Sequence, residues 1–240
     1  MSVAIVTGAS RGLGQALATG LAKSGWSLVI DGRDPDTLDA SAALIRAQAA
    51  DGVRVVAIAG DITDQDHRHE LTAAAFELGG LDLVVNNAGT LGASPLPLLS
   101  DYPLGDLRVA FEVNVVAPLG LIQDALPLLL DSERQRLVNI TSDAAVDAYE
   151  GWGGYGAGKA ALEHLGNVLA AEFPDLHVWS VDPGDLRTVM HQAAFPGEDI
   201  SDRPEPQTVV PAFLELIDSD RPSGRYRATE LAPTGAGAPA

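Results

Sequence analysis

The sequence contains no cysteine, and only two of its 15 Lys and Arg residues are lysines, Lys23 and Lys159. The absence of cysteine excludes disulfide bonds, thiolate catalysis and cysteine-ligated metal sites. We expect no apolar run to reach the length of a membrane span, and the segment after Met1 leads directly into a strand-like pattern instead of a signal peptide. We therefore expect a cytoplasmic protein with no membrane partner.

Positive charge is scarce: 33 Asp and Glu residues leave a formal net charge of −18. A phosphate backbone would be repelled by such a chain, so nucleic acid is not an expected partner. With 240 residues and 46% hydrophobic content, the chain can bury one substantial core. We expect one α/β domain over residues 1–230 and a disordered, low-complexity tail over residues 231–240.

A glycine-rich turn follows the first strand-like segment. Residues 2–6 are apolar and rich in β-branched side chains, and residues 7–14 read TGASRGLG. Leucines then recur every four residues, as on one buried helix face. Free backbone N–H groups and the helix dipole at such a strand–turn–helix junction attract anions. This arrangement predicts a binding site for the pyrophosphate of a dinucleotide.

A tyrosine and a lysine lie four residues apart, at Tyr155 and Lys159, and four-residue spacing places two side chains on one helix face. Lowering a tyrosine pKa from about 10 to about 7 requires roughly 4 kcal/mol. A cation about 5 Å away at an effective dielectric near 20 supplies roughly 3 kcal/mol of this. The spacing therefore predicts proton transfer by Tyr155. The alternative is a chance pairing on an ordinary helix, so the surrounding motifs must decide.

With the spacings Gly8-x-x-x-Gly12-x-Gly14 and Tyr155-x-x-x-Lys159, the chain resembles the short-chain dehydrogenase/reductase family. The resemblance runs from residue 3 to about residue 230. It implies a single α/β domain with a Rossmann-type, doubly wound parallel sheet flanked by helices on both faces. It also implies an oxidoreductase that transfers a hydride between NADP(H) and a carbonyl or secondary alcohol.

The resemblance assigns four catalytic positions, namely Asn114, Ser142, Tyr155 and Lys159. In this reading Tyr155 is the general acid/base, Ser142 orients the substrate oxygen, and Lys159 lowers the tyrosine pKa and binds the nicotinamide ribose. Pro118 has no N–H to bond the Asn114 carbonyl four residues back. Our hypothesis is that this carbonyl, or the Asn114 amide, holds a water that passes protons to Lys159.

The cofactor-binding positions implied by the resemblance follow five predicted strands and include the catalytic Tyr155 and Lys159. They are Gly8, Ser10, Arg11, Gly12, Leu13, Gly14, Arg33, Asp61, Ile62, Asn87, Ala88, Gly89, Tyr155, Lys159, Pro183, Gly184, Leu186 and Thr188.

The choice between NADP and NAD depends on residues 31–34, which read DGRD after the second predicted strand. An acid in this region binds the ribose hydroxyls of NAD, whereas an arginine accommodates the 2′-phosphate of NADP. In the register of the family, Gly32 stands where the NAD-selecting acid would be and Arg33 stands at the phosphate-binding base. NADP(H) is therefore favoured and NAD(H) is the alternative. Asp31 and Asp34 can equally be turn residues.

Other segments carry weaker expectations. Residues 187–206 read as a mobile lid over the substrate, and the helices predicted over 105–130 and 155–173 resemble the family's subunit-pairing helices, which implies a homodimer or homotetramer. Gly156 and Gly158 are expected to make room for cofactor and substrate. His67 and His69 are expected on the surface, and no metal site is expected.

Two other functions fit parts of the sequence. A regulatory protein that binds NADP(H) without catalysis would carry the same glycine turn, and an NAD-dependent alcohol dehydrogenase would carry the same catalytic positions. The joint presence of the four catalytic positions favours an enzyme. The partner is expected to be a small carbonyl or alcohol, but the sequence does not select one.

Overall fold

The computed structural model describes residues 2–231 and contains one sheet of parallel strands. The strands are β1 (Val3–Val6), β2 (Ser27–Gly32), β3 (Val55–Ala59), β4 (Leu83–Asn86), β5 (Arg136–Ile140), β6 (His177–Asp182) and β7 (Gly224–Arg227). Their order is β3-β2-β1-β4-β5-β6-β7, and each neighbouring pair is parallel. The strand order reverses between β1 and β4, and open α/β sheets bind ligands at such a switch point.

Helices cover both faces of this sheet. They are α1 (Gly12–Lys23), α2 (Pro35–Arg46), α3 (Gln65–Leu78), α4 (Leu104–Phe111), α5 (Ala117–Leu130), α6 (Gly153–Glu172), α7 (Val189–Ala194), α8 (Val210–Ile217) and α9 (Ala228–Leu231). Successive strand residues point to opposite faces. Ala4 and Val6 pack in the core with α1, α2 and α8, whereas Val3 and Ile5 pack with α3, α5 and α6. The predicted doubly wound, Rossmann-type fold is confirmed.

The helix predicted over 105–130 is interrupted. A π-helical turn, Glu112–Val116, separates α4 from α5, and the N–H of Ala117 donates to the carbonyl of Glu112 five residues back. Pro118 cannot supply the usual four-residue bond, which is a physical reason for the irregularity. Such π-turns occur frequently at functional sites.

The stretch Leu104–Leu130 is long and apolar enough to cross a membrane, by length and composition alone. The expectation that no run reaches this length was therefore wrong. A core helix of a soluble protein passes the same test, and residues such as Leu121 and Leu129 are buried against the sheet here. The helix thus serves as a core element of the α/β fold.

The C-terminal part of the chain differs from the prediction at one boundary. A short 3₁₀ turn, Pro206–Thr208, is followed by α8. Leu231, assigned to the disordered tail, instead ends α9 with 2% of its surface exposed. The prediction for the rest of that tail concerns residues 232–240, which lie outside the described residues.

Candidate active site

The glycine turn joins β1 to α1, and two of its glycines have positive φ angles. Gly8 and Gly12 have φ values of +65° and +59°, in the left-handed region that favours glycine. A Cβ on Gly14 would lie 2.4 Å from the Gly8 carbonyl oxygen, so this position also excludes a side chain. Among the described residues no side chain caps α1, and its first turn carries no acid. Its N–H groups are therefore open to an anion.

The end of β4 is bonded to this turn. The Thr7 hydroxyl oxygen accepts the N–H groups of Asn87 and Ala88 at 3.0 Å each, and the Asn87 amide donates to the Thr7 carbonyl at 2.8 Å. A Cβ on Gly8 would lie 2.9 Å from the Ala88 Cα. The structure thus brings the predicted residues of both segments together. Sequence reasoning missed the contribution of Thr7, because a threonine beside a glycine turn has no distinctive pattern.

The end of β2 is crowded at Gly32, the position where an NAD-selecting acid was considered. A Cβ on Gly32 would lie 2.9 Å from the Ser10 Cβ, so a larger residue requires the glycine turn to move. The Asp34 side chain accepts the Thr37 N–H at 2.8 Å and caps α2. Hydrogen bonds from Thr37, and then the charge of Arg11, hold the pKa of Asp34 below its usual value. Arg11 and Arg33 are both exposed.

Two buried residues, Asp31 and His67, support the glycine turn. Asp31 accepts the Gly8 N–H at 2.6 Å with one carboxylate oxygen, and its other oxygen lies 3.2 Å from His67 Nε2. His67 is 5% exposed, so the expectation of a surface residue was wrong; His69 is exposed and lies 3.4 Å from Asp124. Asp31 is therefore a buried residue of β2 that supports the glycine turn, and the alternative reading of it as a turn residue was wrong.

His67 also fits against the segment that follows β3. A Cβ on Gly60 would lie 2.2 Å from His67 Nδ1, so this glycine makes room for the imidazole. The next residues, Asp61 and Ile62, are predicted cofactor contacts. A backbone hydrogen bond from Thr63, and to a lesser extent the charge of Arg33, holds the pKa of Asp61 below its usual value. Asp61 is therefore an ionised acceptor at neutral pH.

The predicted acid/base pair lies on one side of α6. The Lys159 Nζ is 5.6 Å from the centre of the Tyr155 ring, and it donates a hydrogen bond to the Ile140 carbonyl at 2.8 Å. Both side chains are buried. The four-residue spacing has therefore brought the ammonium and the phenol into one site.

The pKa of Tyr155 moves opposite to the expected direction. Burial raises this pKa above its usual value, and the charges of Asp182 and Asp143 raise it further. The sequence argument counted only the attraction to a cation and left out the loss of hydration. Burial also lowers the pKa of Lys159 to about 8, an effect that the charge of Glu163 partly opposes.

Ser142 follows β5 at the carboxyl edge of the sheet. Its hydroxyl donates to an Asp143 carboxylate oxygen at 2.9 Å and accepts the Ala144 N–H at 3.2 Å. A Cβ on Gly156 would lie 2.3 Å from the Ala144 carbonyl oxygen, so α6 packs directly on the serine segment. Gly156 therefore makes room for protein backbone, and the expectation that it accommodates cofactor or substrate was wrong.

Asn114 anchors the loop after β4. Its carboxamide oxygen accepts the Thr90 N–H at 2.9 Å, and its amide nitrogen donates to the Thr90 carbonyl at 2.8 Å. A Cβ on Gly89 would lie 3.1 Å from this oxygen and 3.6 Å from the Lys159 Nζ. Gly158 faces the Asn114 side chain, and a Cβ on Gly158 would lie at an ordinary contact distance of 3.5 Å from the Asn114 Cβ, so a methyl group would fit there. Asn114 thus lies close to the lysine.

The segment after β6 returns to the glycine turn. The Thr188 methyl group lies 3.6 Å from where a Cβ on Gly12 would be, and the Thr188 hydroxyl caps α7. Gly184 has a φ of +74°. The Leu186 side chain is buried in the core that includes α1, which leaves only its backbone for the predicted cofactor contact. Thr188 is thus close to the α1 N-terminus.

The predicted lid packs over the tyrosine. Ala194 lies in an apolar cluster with Tyr155, and the Phe195 ring centre is 5.9 Å from that of Trp152. Trp152 in turn contacts the Tyr155 ring edge-on at 5.7 Å. Trp152 therefore contacts both the predicted lid and Tyr155.

Cavities flank this cluster. One of about 400 Å³ lies along the lid and is lined by Arg187, Thr188, Val189, Gln192, Asp199, Ile200 and Ser201. A smaller one of about 160 Å³ lies on the side of the serine segment and includes Leu99, Asp147, Tyr149 and Trp152 in its walls.

Comparison with known proteins gives a consistent picture. The family model of the short chain dehydrogenases matches residues 2–199. Sepiapterin reductase of Mus musculus is 36% identical over 203 residues, which cover 80% of this chain and 77% of that enzyme. An uncharacterized oxidoreductase of Mycobacterium tuberculosis is 37% identical over 219 residues, or 90% of this chain and 81% of the relative.

Solved structures match the fold across nearly the whole chain. A putative short chain dehydrogenase from Shigella flexneri 2a, complexed with NADP, has a TM-score of 0.86 at 30% identity, covering 95% of this chain and 97% of that one. An alcohol dehydrogenase from the archaeon Thermococcus sibiricus, complexed with 5-hydroxy-NADP, has a TM-score of 0.84 at 26% identity, covering 95% of each chain.

Proposed function

The chain belongs to the short-chain dehydrogenase family of oxidoreductases, and from that membership we propose that it reduces the carbonyl group of a small organic substrate with NADPH. The observation that carries the proposal is the buried pairing of Tyr155 with Lys159, 5.6 Å from ring centre to Nζ, at the sheet edge where Ser142 lies. A protein that only bound the dinucleotide would not need this pair.

The residues at the switch point fit NADP(H). Gly8 and Gly14 keep Cβ atoms out of the turn at α1, and exposed Arg11 and Arg33 supply positive charge near the end of β2. Gly32 provides no acid for the ribose hydroxyls of NAD. Neighbouring structures from Shigella flexneri and Escherichia coli were solved with NADP and NADPH. When bound, the cofactor supplies the hydride.

The side chains around Tyr155 suit carbonyl reduction. Because its raised pKa keeps the phenol protonated at neutral pH, Tyr155 can donate a proton to the oxygen of the reduced carbonyl. The Ser142 hydroxyl, on exchanging its bond to Asp143 for one to the substrate, orients that oxygen. Lys159 contributes positive charge beside the phenol and binds the ribose on the nicotinamide side.

After Tyr155 has given up its proton, it must be reprotonated. The water that passes this proton through Lys159 is held at the π-helical turn between α4 and α5, which contains Asn114. Both polar atoms of the Asn114 carboxamide are hydrogen-bonded to the Thr90 backbone. The group that holds a water is therefore the Asn114 backbone carbonyl and not its side-chain amide. Pro118 leaves that carbonyl without its usual N–H donor. Gly89 brings the turn close to Lys159.

The proposal is tested by following NADPH and NADH oxidation against a panel of aldehydes, ketones and conjugated carbonyls. We expect turnover with NADPH and several-fold less with NADH. Tight NADPH binding without turnover of any carbonyl would favour the regulatory alternative. A preference for NADH would instead favour an NAD-dependent alcohol dehydrogenase.

Other parts of the proposal concern the surroundings of the site. Residues 187–206 act as the lid, within a single domain that spans residues 1–230. Exposed apolar side chains, including Val109 on α4, Val116 in the turn before α5 and Val168 on α6, support pairing of two or four copies through these helices. The acidic surface of the chain supports a cytoplasmic location.

A further inference from the structure

A partly buried ionic network lies behind the acid/base pair. Glu163 is one helical turn beyond Lys159 on α6, and its carboxylate accepts hydrogen bonds from the Thr141 hydroxyl and from the Arg225 guanidinium. Only 13% of the Glu163 side chain and 23% of the Arg225 side chain are exposed. The mechanism described above uses neither residue.

Arg225 reaches this position from β7 and contacts the ends of two other strands. A second guanidinium nitrogen donates to the Ser142 carbonyl at 3.2 Å and to an Asp182 carboxylate oxygen at 3.1 Å. One planar group therefore joins α6, the serine after β5 and the last residue of β6. Arginine suits this task because its fork of N–H groups has a fixed geometry.

We propose that Arg225 and Glu163 are positioning residues for the reaction: Arg225 holds the main chain at Ser142 in place relative to α6, and Glu163 provides the carboxylate countercharge for Lys159. This inference rests on the proposed function. It goes beyond the proposed function because it gives β7, the strand farthest from the glycine turn, a part in aligning Ser142 and Lys159.

Electrostatics supports the second half of the inference. Burial lowers the pKa of Lys159, and Glu163 raises it back to about 8. The other titratable and charged groups around this site are Tyr155, Asp143, Asp182, Arg225 and Arg227. Loss of the Glu163 charge should therefore lower the lysine pKa further and leave less of the ammonium at neutral pH.

The scarcity of lysine permits a test that does not depend on activity. In protein labelled with ¹³C at the lysine ε-carbon, Lys23 and Lys159 give two signals, and Lys23 serves as internal reference. We expect Lys159 to titrate near pH 8 in the parent and at lower pH in Glu163→Gln. Identical Lys159 titrations in parent and variant would overturn the countercharge role.

Kinetics tests the positioning role. We expect Arg225→Met to lower kcat about tenfold or more, because small displacements of a catalytic group cost up to about 100-fold, with NADPH affinity close to that of the parent. Glu215→Gln, which breaks the exposed ion pair with Arg221, is the matched control and should leave kcat unchanged. If Arg225→Met fails to fold, Arg225→Lys is measured instead, since it keeps the charge without the fork.

The outcomes separate the two proposals. A parent that turns over no carbonyl contradicts the proposed function, while the lysine titration still decides the role of Glu163. An active parent whose Arg225 variant retains the full kcat overturns the positioning role alone. A fall in thermal stability with unchanged kcat and an unchanged lysine titration would identify the network as purely structural.

Discussion

The ammonium of Lys159 donates a hydrogen bond to the carbonyl of Ile140 at 2.8 Å and so ties the middle of α6 to the last residue of β5. Ser142 comes two residues after Ile140, and Tyr155 lies one helical turn before Lys159. The lysine therefore has a mechanical as well as an electrostatic part, because it aligns the two elements that carry the hydroxyl groups.

Tyr155→Phe should abolish carbonyl reduction while leaving NADPH affinity near that of the parent. The substitution removes the transferable proton and keeps the ring that packs against Trp152. General acid catalysis contributes about 10²- to 10⁴-fold, so kcat should fall by at least about 100-fold. Steady-state kinetics and NADPH fluorescence titration measure the two quantities. Parent-like turnover in the variant would remove Tyr155 from the mechanism.

Arg33→Ala should raise KM for NADPH about 10- to 100-fold and change KM for NADH little. A hydrogen bond to a charged group contributes about 1.5–3 kcal/mol, and only NADPH carries the 2′-phosphate that Arg33 would bind. Arg221→Ala, on an exposed arginine at a different site, is the control. Equal losses with both cofactors would show that Arg33 does not select NADP.

Lys159→Met should remove activity and change the pH dependence of stability. The pKa of Lys159 is lowered from 10.5 to about 8, so the folded chain releases this proton more easily than the unfolded chain. The resulting penalty, on the order of 3 kcal/mol, is complete below pH 8 and is relieved as pH rises from about 8 to 10.5.

Urea unfolding of both proteins across this pH range provides the measurement. We expect the stability of the parent, relative to Lys159→Met, to rise between pH 8 and 10.5. A difference that does not vary with pH would show that Lys159 keeps an ordinary pKa. The rate of carbonyl reduction by the parent should fall over the lower part of the same range, as the ammonium is lost.

Gly156→Ala should destabilise the fold and impair turnover. The added methyl group would lie 2.3 Å from the Ala144 carbonyl oxygen, and overpacking of this kind costs about 1–3 kcal/mol. Gly105→Ala is the control, since nothing lies within 4 Å of its would-be Cβ and alanine favours a helix by about 1 kcal/mol. Thermal unfolding should show opposite shifts, and shifts of the same sign would contradict the packing argument.

His67→Leu should lower stability by about 1–3 kcal/mol and weaken NADPH binding. The leucine would leave a buried Asp31 oxygen without its partner, and the other Asp31 oxygen holds the Gly8 N–H of the glycine turn. His69→Leu on the same helix alters an exposed side chain and should change stability by less than about 0.5 kcal/mol. Similar effects of both substitutions would argue against a special role for His67.

The sequence predicted the site best where chemistry depends on local spacing. Gly8, Gly12 and Gly14 are required by a backbone turn, and the four-residue interval between Tyr155 and Lys159 places them together on any α-helix. Arg225 could not be predicted in the same way. It lies 62 residues from its partner Glu163, and an arginine on a short edge strand carries no sequence pattern that distinguishes it from a surface residue.

Local spacing thus determined the glycine turn and the helix face that carries Tyr155 and Lys159, and the family resemblance based on these spacings implied the parallel α/β fold. Only the tertiary structure decided the burial of His67, the use of Gly156 to admit a neighbouring element, and the direction of the Tyr155 pKa shift. The physical reason is that hydration and close packing depend on groups distant in the chain. Those groups come together only when the sheet and its two helical layers assemble.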